Sequence, residues 1–197
     1  MAAARFSRQC GEIQKAHVGK ALGAFFDEQI ACVSATIMLS VASLESNINE
    51  HLEDAHQVLP DLPEGARKQF RELLGPLPIL EKYDRVLAIR GLPKFDRGAP
   101  QYQDADLLIS IRNELVHFHP EWHHDQERHR KLGKRILYKF ELSPFIAERS
   151  GVIFPQRFVS HGCTKWAVES ALKFMEAFAL MSGVQSRFAQ HKEHFNA

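Results

Sequence analysis

The sequence predicts an all-α fold, a helical bundle built around long central helices, and three observations predict it. Apolar residues recur at spacings of three and four, as in Val41, Leu44, Ile48 and Leu52 and again in Trp166, Ala167, Ser170, Ala171, Phe174, Phe178 and Met181. Prolines and glycines gather between these stretches rather than inside them. Residues 151–155 are the one β-like stretch, a short strand at most. With 197 residues, 45% of them hydrophobic and 25% charged, the chain suits one domain with a real core.

In chain order, residues 6–22 are expected to form a weakly amphipathic helix, and residues 25–57 one long helix ended by Pro60 and Pro63. Residues 64–74 form a short helix, broken from the next, 79–89, by Gly75, Pro76 and Pro78. Residues 91–104 hold two prolines and few aliphatics and read as a loop. Asp104 is expected to cap a helix running to Phe118 or His119, with Asp106 favouring its N-terminal dipole and Pro120 stopping it. Residues 120–126 are polar and irregular, and residues 127–139 form a basic helix that can pass into an extended piece. Ser143 and Pro144 open a short helix to about Arg149, and residues 164–191 form the last long helix. The organisation is thus one domain over 1–197: an N-terminal helix (1–24), core helices (25–119), a loop-rich insertion (120–160) and a C-terminal helix (161–197).

A formal net charge of +1 supplies no global field toward nucleic acid or anionic membrane, so any nucleic-acid contact must use local patches. The apolar run 30–44 is too short to span a bilayer and is interrupted by Ser34, Thr36, Ser40 and Ser43, so no membrane partner is expected. Residues 1–9 lack the apolar run of a secretory leader. Cys10, Cys32 and Cys163 are an odd, widely spaced set, a poor disulfide framework that suits a reducing, cytoplasmic compartment. No glycine-rich phosphate loop is present, and no cofactor is expected.

Chemistry points to the helix ending near Phe118. Leu108, Ile111, Leu115 and Phe118 make one apolar stripe, and Leu107, Ile109 and Val116 cover other directions, which predicts burial on several sides. Within it sit Arg112, Asn113, Glu114 and His117, which are costly there unless partners satisfy them. Asn113 and His117 share a face, whereas Arg112 and His117 lie about 140° apart on a regular helix. Arg112 reaches that face by its long side chain or by a distortion near the helix end, and a two-fold dimer would bring each Arg and His beside its symmetry mate.

The segment Arg112-Asn113-Glu114-Leu115-Val116-His117, an Arg and a His separated by four residues near the end of a buried helix, resembles the RX4–6H motif of the HEPN superfamily. The long upstream helix with Ser43-Leu44-Glu45-Ser46-Asn47-Ile48-Asn49-Glu50 is similar to the helix that packs beside that motif in such proteins. The resemblance implies a HEPN-like helical bundle, and a homodimeric, metal-independent endoribonuclease of the kind found in toxin–antitoxin, abortive-infection and CRISPR-linked defence. RNA would be its substrate, and an antitoxin or other defence-system protein a partner. The alternative is a non-catalytic HEPN-like interaction or nucleotide-binding module of the same fold.

Metal-free RNA cleavage needs a base for the ribose 2′-hydroxyl, an acid for the leaving 5′-oxygen, and positive charge for the phosphorane. On that reading His117 moves protons near neutral pH, Arg112 grips phosphate oxygens, and Asn113 orients a phosphate or the His117 ring. Glu45 and Asn49, four apart on the long helix, are expected to face the motif. There Glu45 would hold Arg112 or fix the His117 tautomer, and Glu114 is the other candidate support. Arg128, Arg130, Lys131, Lys134 and Arg135 form the best local phosphate-tracking patch, although a solvated helix face is the commoner explanation of such a run. The bland explanation of the motif is a structural pair, with Arg112 bridged to Glu45 or Glu114 and His117 bonded in the core. His117, His119, His123, His124 and His129 invite a metal reading, but Pro120 separates His119 from His123 and no HExxH pattern exists, so no metal site is expected. His191 and His194 read as a solvated helix end.

Overall fold

The computed structural model describes residues 2–53, 61–118, 120, 127–147 and 153–184. They are all-α, with no strand among them. The helices are α1 (Ala2–His17), α2 (Ala24–Glu53), α3 (Glu64–Leu74), α4 (Ile79–Ile89), α5 (Pro100–Val116), α6 (Glu127–Ile136) and α7 (His161–Ser182).

Helix α2 is the axis of the bundle, packing against α1, α4, α5 and α7. By length and composition alone it is one described helix able to cross a membrane, because it holds an 18-residue window of mean hydropathy 1.3, longer than the run 30–44 considered from the sequence. In this fold its Val33, Ile37, Val41, Leu44 and Ile48 are buried between the other helices. Small residues on this helix let neighbours approach, and Thr36 and Ser43 return their hydroxyls to the carbonyls of Cys32 and Leu39, at 2.8 Å each. An aromatic cluster fills the centre. Tyr83 meets Phe174 and Phe178 edge to face at 4.9 and 4.8 Å between centroids, and Phe95 stacks on Phe174 at 4.6 Å. The Tyr83 hydroxyl donates to the Leu44 carbonyl at 2.8 Å and lies 3.0 Å from Asn47 Oδ1, so its polar end is satisfied.

Helix α1 joins α7 through a polar seam. Ser7 Oγ donates to Thr164 Oγ1 (3.0 Å), Thr164 donates to the His161 carbonyl (2.8 Å), and His161 N–H donates to Gln14 Oε1 (2.9 Å). Gln29 Nε2 from α2 donates to the same Gln14 oxygen at 3.2 Å. Gly11 sits in the middle of α1, where glycine weakens a helix. Its reason is the His161 ring: a Cβ at residue 11 would sit only 3.0 Å from His161 Cε1, tighter than an ordinary contact. Ser160 opens α7 by accepting from Cys163 N–H at 3.0 Å, and its own hydroxyl donates to the Glu141 carbonyl at 2.6 Å. Gly183, at φ 66°, closes α7 in the left-handed conformation that glycine tolerates.

Several boundaries differ from expectation. Helix α5 begins at Pro100, not near Asp104: Pro100 supplies the pre-set φ of a first turn, and Asp104 pairs with Lys139 at 2.6 Å instead of capping. Helix α1 spans Ala2–His17 rather than 6–22, and α6 stops at Ile136. Residues 144–146 form a turn rather than the start of a helix. Of the expected strand, 151 and 152 lie outside the described residues. Residues 153–155 belong instead to a wide turn with a cis Phe154–Pro155 bond, closed by Phe158 N–H on the Ile153 carbonyl at 3.1 Å. Pro155 has no N–H for a ladder, and Phe154 turns fully into the core. Helix α7 spans His161–Ser182 rather than 164–191, because Gly183 in the left-handed conformation ends it; the expected extension of α2 to 57 lies outside the described residues, as do His119, His123, His124, His191 and His194.

Candidate functional site

Helix α5 changes character along its length. Ala105, Leu107, Leu108 and Ile111 are buried against α2 and α7. Beyond them the helix emerges: Asn113, Val116, His117 and Phe118 are exposed, with Val116 at 50% and Phe118 at 46%. The expected burial on several sides therefore holds for the first part of the helix only. The helix stops at Val116. His117 leaves helical dihedrals (φ −113°, ψ 48°) while its N–H still donates to the Asn113 carbonyl at 2.9 Å. The residue before Pro120 disfavours helix, so an end ahead of it is required.

Arg112 lies half-buried, its Nε inside the protein and without a hydrogen-bond partner. No ion pair joins it to Glu45 or Glu114 among the described residues. Glu114 is committed elsewhere: its Oε1 accepts from Arg128 Nε at 2.7 Å and Nη2 at 2.6 Å, and its Oε2 is buried and unpartnered. Glu45 and Asn49 also turn to another residue. Lys82 Nζ of α4 donates to Asn49 Oδ1 at 3.0 Å and lies 3.7 Å from Glu45 Oε1, while Lys82 itself is 2% exposed. The expectation that Glu45 holds Arg112 or fixes the His117 tautomer is thus corrected: its recorded partner is a buried lysine, since an interior ammonium needs a carboxylate nearby. The signal for Lys82 was in the sequence. It occupies the buried register of α4 with Ile79, Tyr83 and Val86, at spacings of three and four.

The basic helix α6 packs beside α5 through cross-helix ion pairs. Arg128 pairs with Glu114, Arg135 with Asp106 (2.7 Å) and Ser110 (3.1 Å), and Lys139, just past the helix, with Asp104 (2.6 Å). Lys131 pairs within its own helix with Glu127 at 2.6 Å, which holds the Glu127 carboxyl below its ordinary pKa and raises that of Lys131. Arg130 and Lys134 are exposed, with no ion pair among the described residues. Two of the five residues of the expected phosphate-tracking patch, Arg128 and Arg135, are therefore engaged in fastening α6 to α5, and a third, Lys131, is paired within α6. His129 is buried, stacked on Phe118 at 5.6 Å and tilted on Phe154 at 5.3 Å. Among the described residues no group of three or more His, Cys, Asp or Glu is placed to hold a metal ion. All three cysteines are free and buried. Burial pushes the Cys10 thiol up to about 12 and Cys163 higher still, which keeps them protonated and poor nucleophiles.

The arrangement presents a half-buried guanidinium, an exposed amide and an exposed imidazole at the end of one helix, bordered by exposed Val116 and Phe118. That set can bind an anionic oxygen and move a proton. No family model, curated protein or solved structure matches this chain.

Proposed function

We propose that this chain is a metal-independent endoribonuclease of HEPN type, working as a homodimer in the cytoplasm, in a toxin–antitoxin or phage-defence setting. One observation carries the reading: Arg112 is placed in a largely apolar helix, yet neither Glu45 nor Glu114 compensates it, and its Nε is buried without a partner. A structural ion pair would account for a half-buried arginine, and among the described residues Arg112 has none. His117, likewise, stands at the exposed helix end rather than bonded in the core.

In the proposed reaction the ribose 2′-hydroxyl attacks the adjacent phosphorus. One His117 takes the hydroxyl proton, and the His117 of the second copy protonates the leaving 5′-oxygen. Arg112 neutralises the phosphorane, and Asn113 orients a phosphate oxygen or the imidazole. The products are a 2′,3′-cyclic phosphate and a 5′-hydroxyl. Exposed Val116 and Phe118 beside His117 give a second copy an apolar surface on which to dock.

The test is incubation of purified protein with mixed RNA in EDTA, beside Arg112→Ala and His117→Ala prepared identically. Cyclic-phosphate ends from the wild type and from neither variant support the reading. Equal behaviour of three folded proteins across several RNAs overturns it. That result favours a non-catalytic interaction module of the same fold, for which the ion pairs of Arg128, Lys131 and Arg135 already speak, since they occupy cations an RNA strand would use.

A further inference from the structure

A groove of about 540 Å³ opens where the start of α5 meets the end of α6, lined by Arg97, Tyr102, Asp106, Arg135 and Lys139 among others. Its size falls within the usual range for small-ligand sites, about 300–1,000 Å³. Three of these residues are cations in a chain whose net charge is +1. Two of the cations are fixed in place: Arg135 by Asp106 and Ser110, and Lys139 by Asp104. Arg97 is exposed and has no ion pair among the described residues. It stands on a braced loop, where Phe95 N–H donates to the buried Asp84 at 3.1 Å and Gly98 N–H donates to Asp96 at 2.8 Å. Tyr102 supplies a half-buried ring, backed by Phe95 and Phe174 at 6.2 and 6.3 Å between centroids. Desolvation raises its pKa, so the phenol stays a proton donor at neutral pH.

We propose that this groove binds a nucleoside phosphate, the base lying on Tyr102 and the phosphate held by Arg97, the one lining cation with no ion pair among the described residues. Cations on a rigid frame beside an aromatic face are what a base and its phosphate require, and stacking accepts any base. The groove also has the right place on the molecule. At 3.6 residues per turn, Tyr102, Asp106, Ser110 and Asn113 fall within about 80° of one another on α5, and His117 continues that stripe at the helix end. Asp106 and His117 are about 16 Å apart along the helix at 1.5 Å per residue. A strand leaving the groove toward His117 would cross Arg135, which is bonded to Asp106 and Ser110 on that face. The inference deepens the ribonuclease reading and rests on it only for the source of the ligand, a unit of an RNA strand rather than a free nucleotide.

The test measures binding of two probes, fluorescein-labelled octa-adenylate RNA and AMP. The hosts are His117→Ala, so that the RNA is not cut, and the same protein with Arg97→Glu or Tyr102→Leu added. Circular dichroism and melting temperature check that each variant folds. RNA binding weakened about ten-fold or more by Arg97→Glu, with a log–log salt slope shallower by about 0.7, and about five-fold or more by Tyr102→Leu, supports the groove with RNA as source. AMP bound as tightly as the RNA, and lost in Arg97→Glu, supports it with a free nucleotide as source. Neither probe bound, or both bound equally by Arg97→Glu, overturns it. A wild type that cuts no RNA while Arg97 still governs binding removes the ribonuclease reading and leaves the groove standing.

Discussion

Two polar regions of this molecule, the seam between α1 and α7 and the exposed end of α5, are built on different terms. In the seam, hydroxyls, an imidazole and a side-chain amide close on one another: Ser7, Thr164, His161 and Gln14 each find a partner at 2.8–3.1 Å. At the end of α5, Arg112 keeps an unpartnered buried Nε, and Asn113 and His117 face solvent. Satisfied buried groups hold elements together, and unsatisfied ones cost stability. The difference is one of degree, since Gln29 Oε1 beside the seam is also buried without a partner; what sets the α5 end apart is that an amide and an imidazole stand exposed beside the guanidinium.

The largest expected effect breaks the comparison at the α5 end. Arg112→Ala and His117→Ala should each lower RNA cleavage about 10²–10⁴-fold, the span of a lost acid–base or charge-stabilising group. Urea midpoints should stay near the wild-type value. A large stability loss with unchanged cleavage would reverse the assignment of the two regions.

At the seam, Thr164→Val should do the converse. It strands Ser7 Oγ and removes the hydroxyl that accepts from the Cys10 thiol, costing about 1–3 kcal/mol in urea unfolding while cleavage persists. The thiol offers a titration of the same seam. Burial raises the folded pKa of Cys10 from the ordinary 9.0 to about 12. The stability it contributes is fully present below pH 9 and is lost as pH rises from about 9 to 12, because the unfolded chain releases its proton first. Chemical denaturation at pH 8, 9 and 10 should show that fall, and Cys10→Ala should flatten it by up to about 1.4 kcal/mol per pH unit. An unchanged slope would mean that Cys10 is not the group responsible.

The smallest effect sharpens the reading of α6. Arg135→Ala should destabilise by about 0.5 kcal/mol, since its pair with Asp106 is close to half exposed, and Lys134→Ala by nothing measurable. Equal losses would show that the cross-helix pairs do not fasten α6.

What the sequence made legible was periodic or contiguous. Helices Glu64–Leu74 and Ile79–Ile89 lie where their punctuation put them, because proline and glycine act locally. The motif was visible for the same reason: Arg112 and His117 are near neighbours in an apolar helix. Elements decided by distant partners were not. Asp104 looked like a cap because its partner, Lys139, is 35 residues away. Glu45 and Asn49 do share one face of α2, but which residue they meet depends on how α4 packs. The basic run read as a free patch because the carboxylates that engage Arg128 and Arg135 lie 14 and 29 residues earlier, beyond any helical spacing.

The notch at Gly11 carries a consequence of another kind. One side chain's worth of space is shared between residue 11 and the ring of residue 161, because a Cβ at the first would sit 3.0 Å from the second. The two positions are 150 residues apart in sequence, yet they are not independent variables. In any relative of this chain they should covary: where 161 is aromatic or histidine, 11 should stay glycine, and a larger residue at 11 should come with a small one at 161. Such a pair is a register mark for aligning distant homologues, readable without regard to what the protein cuts or binds.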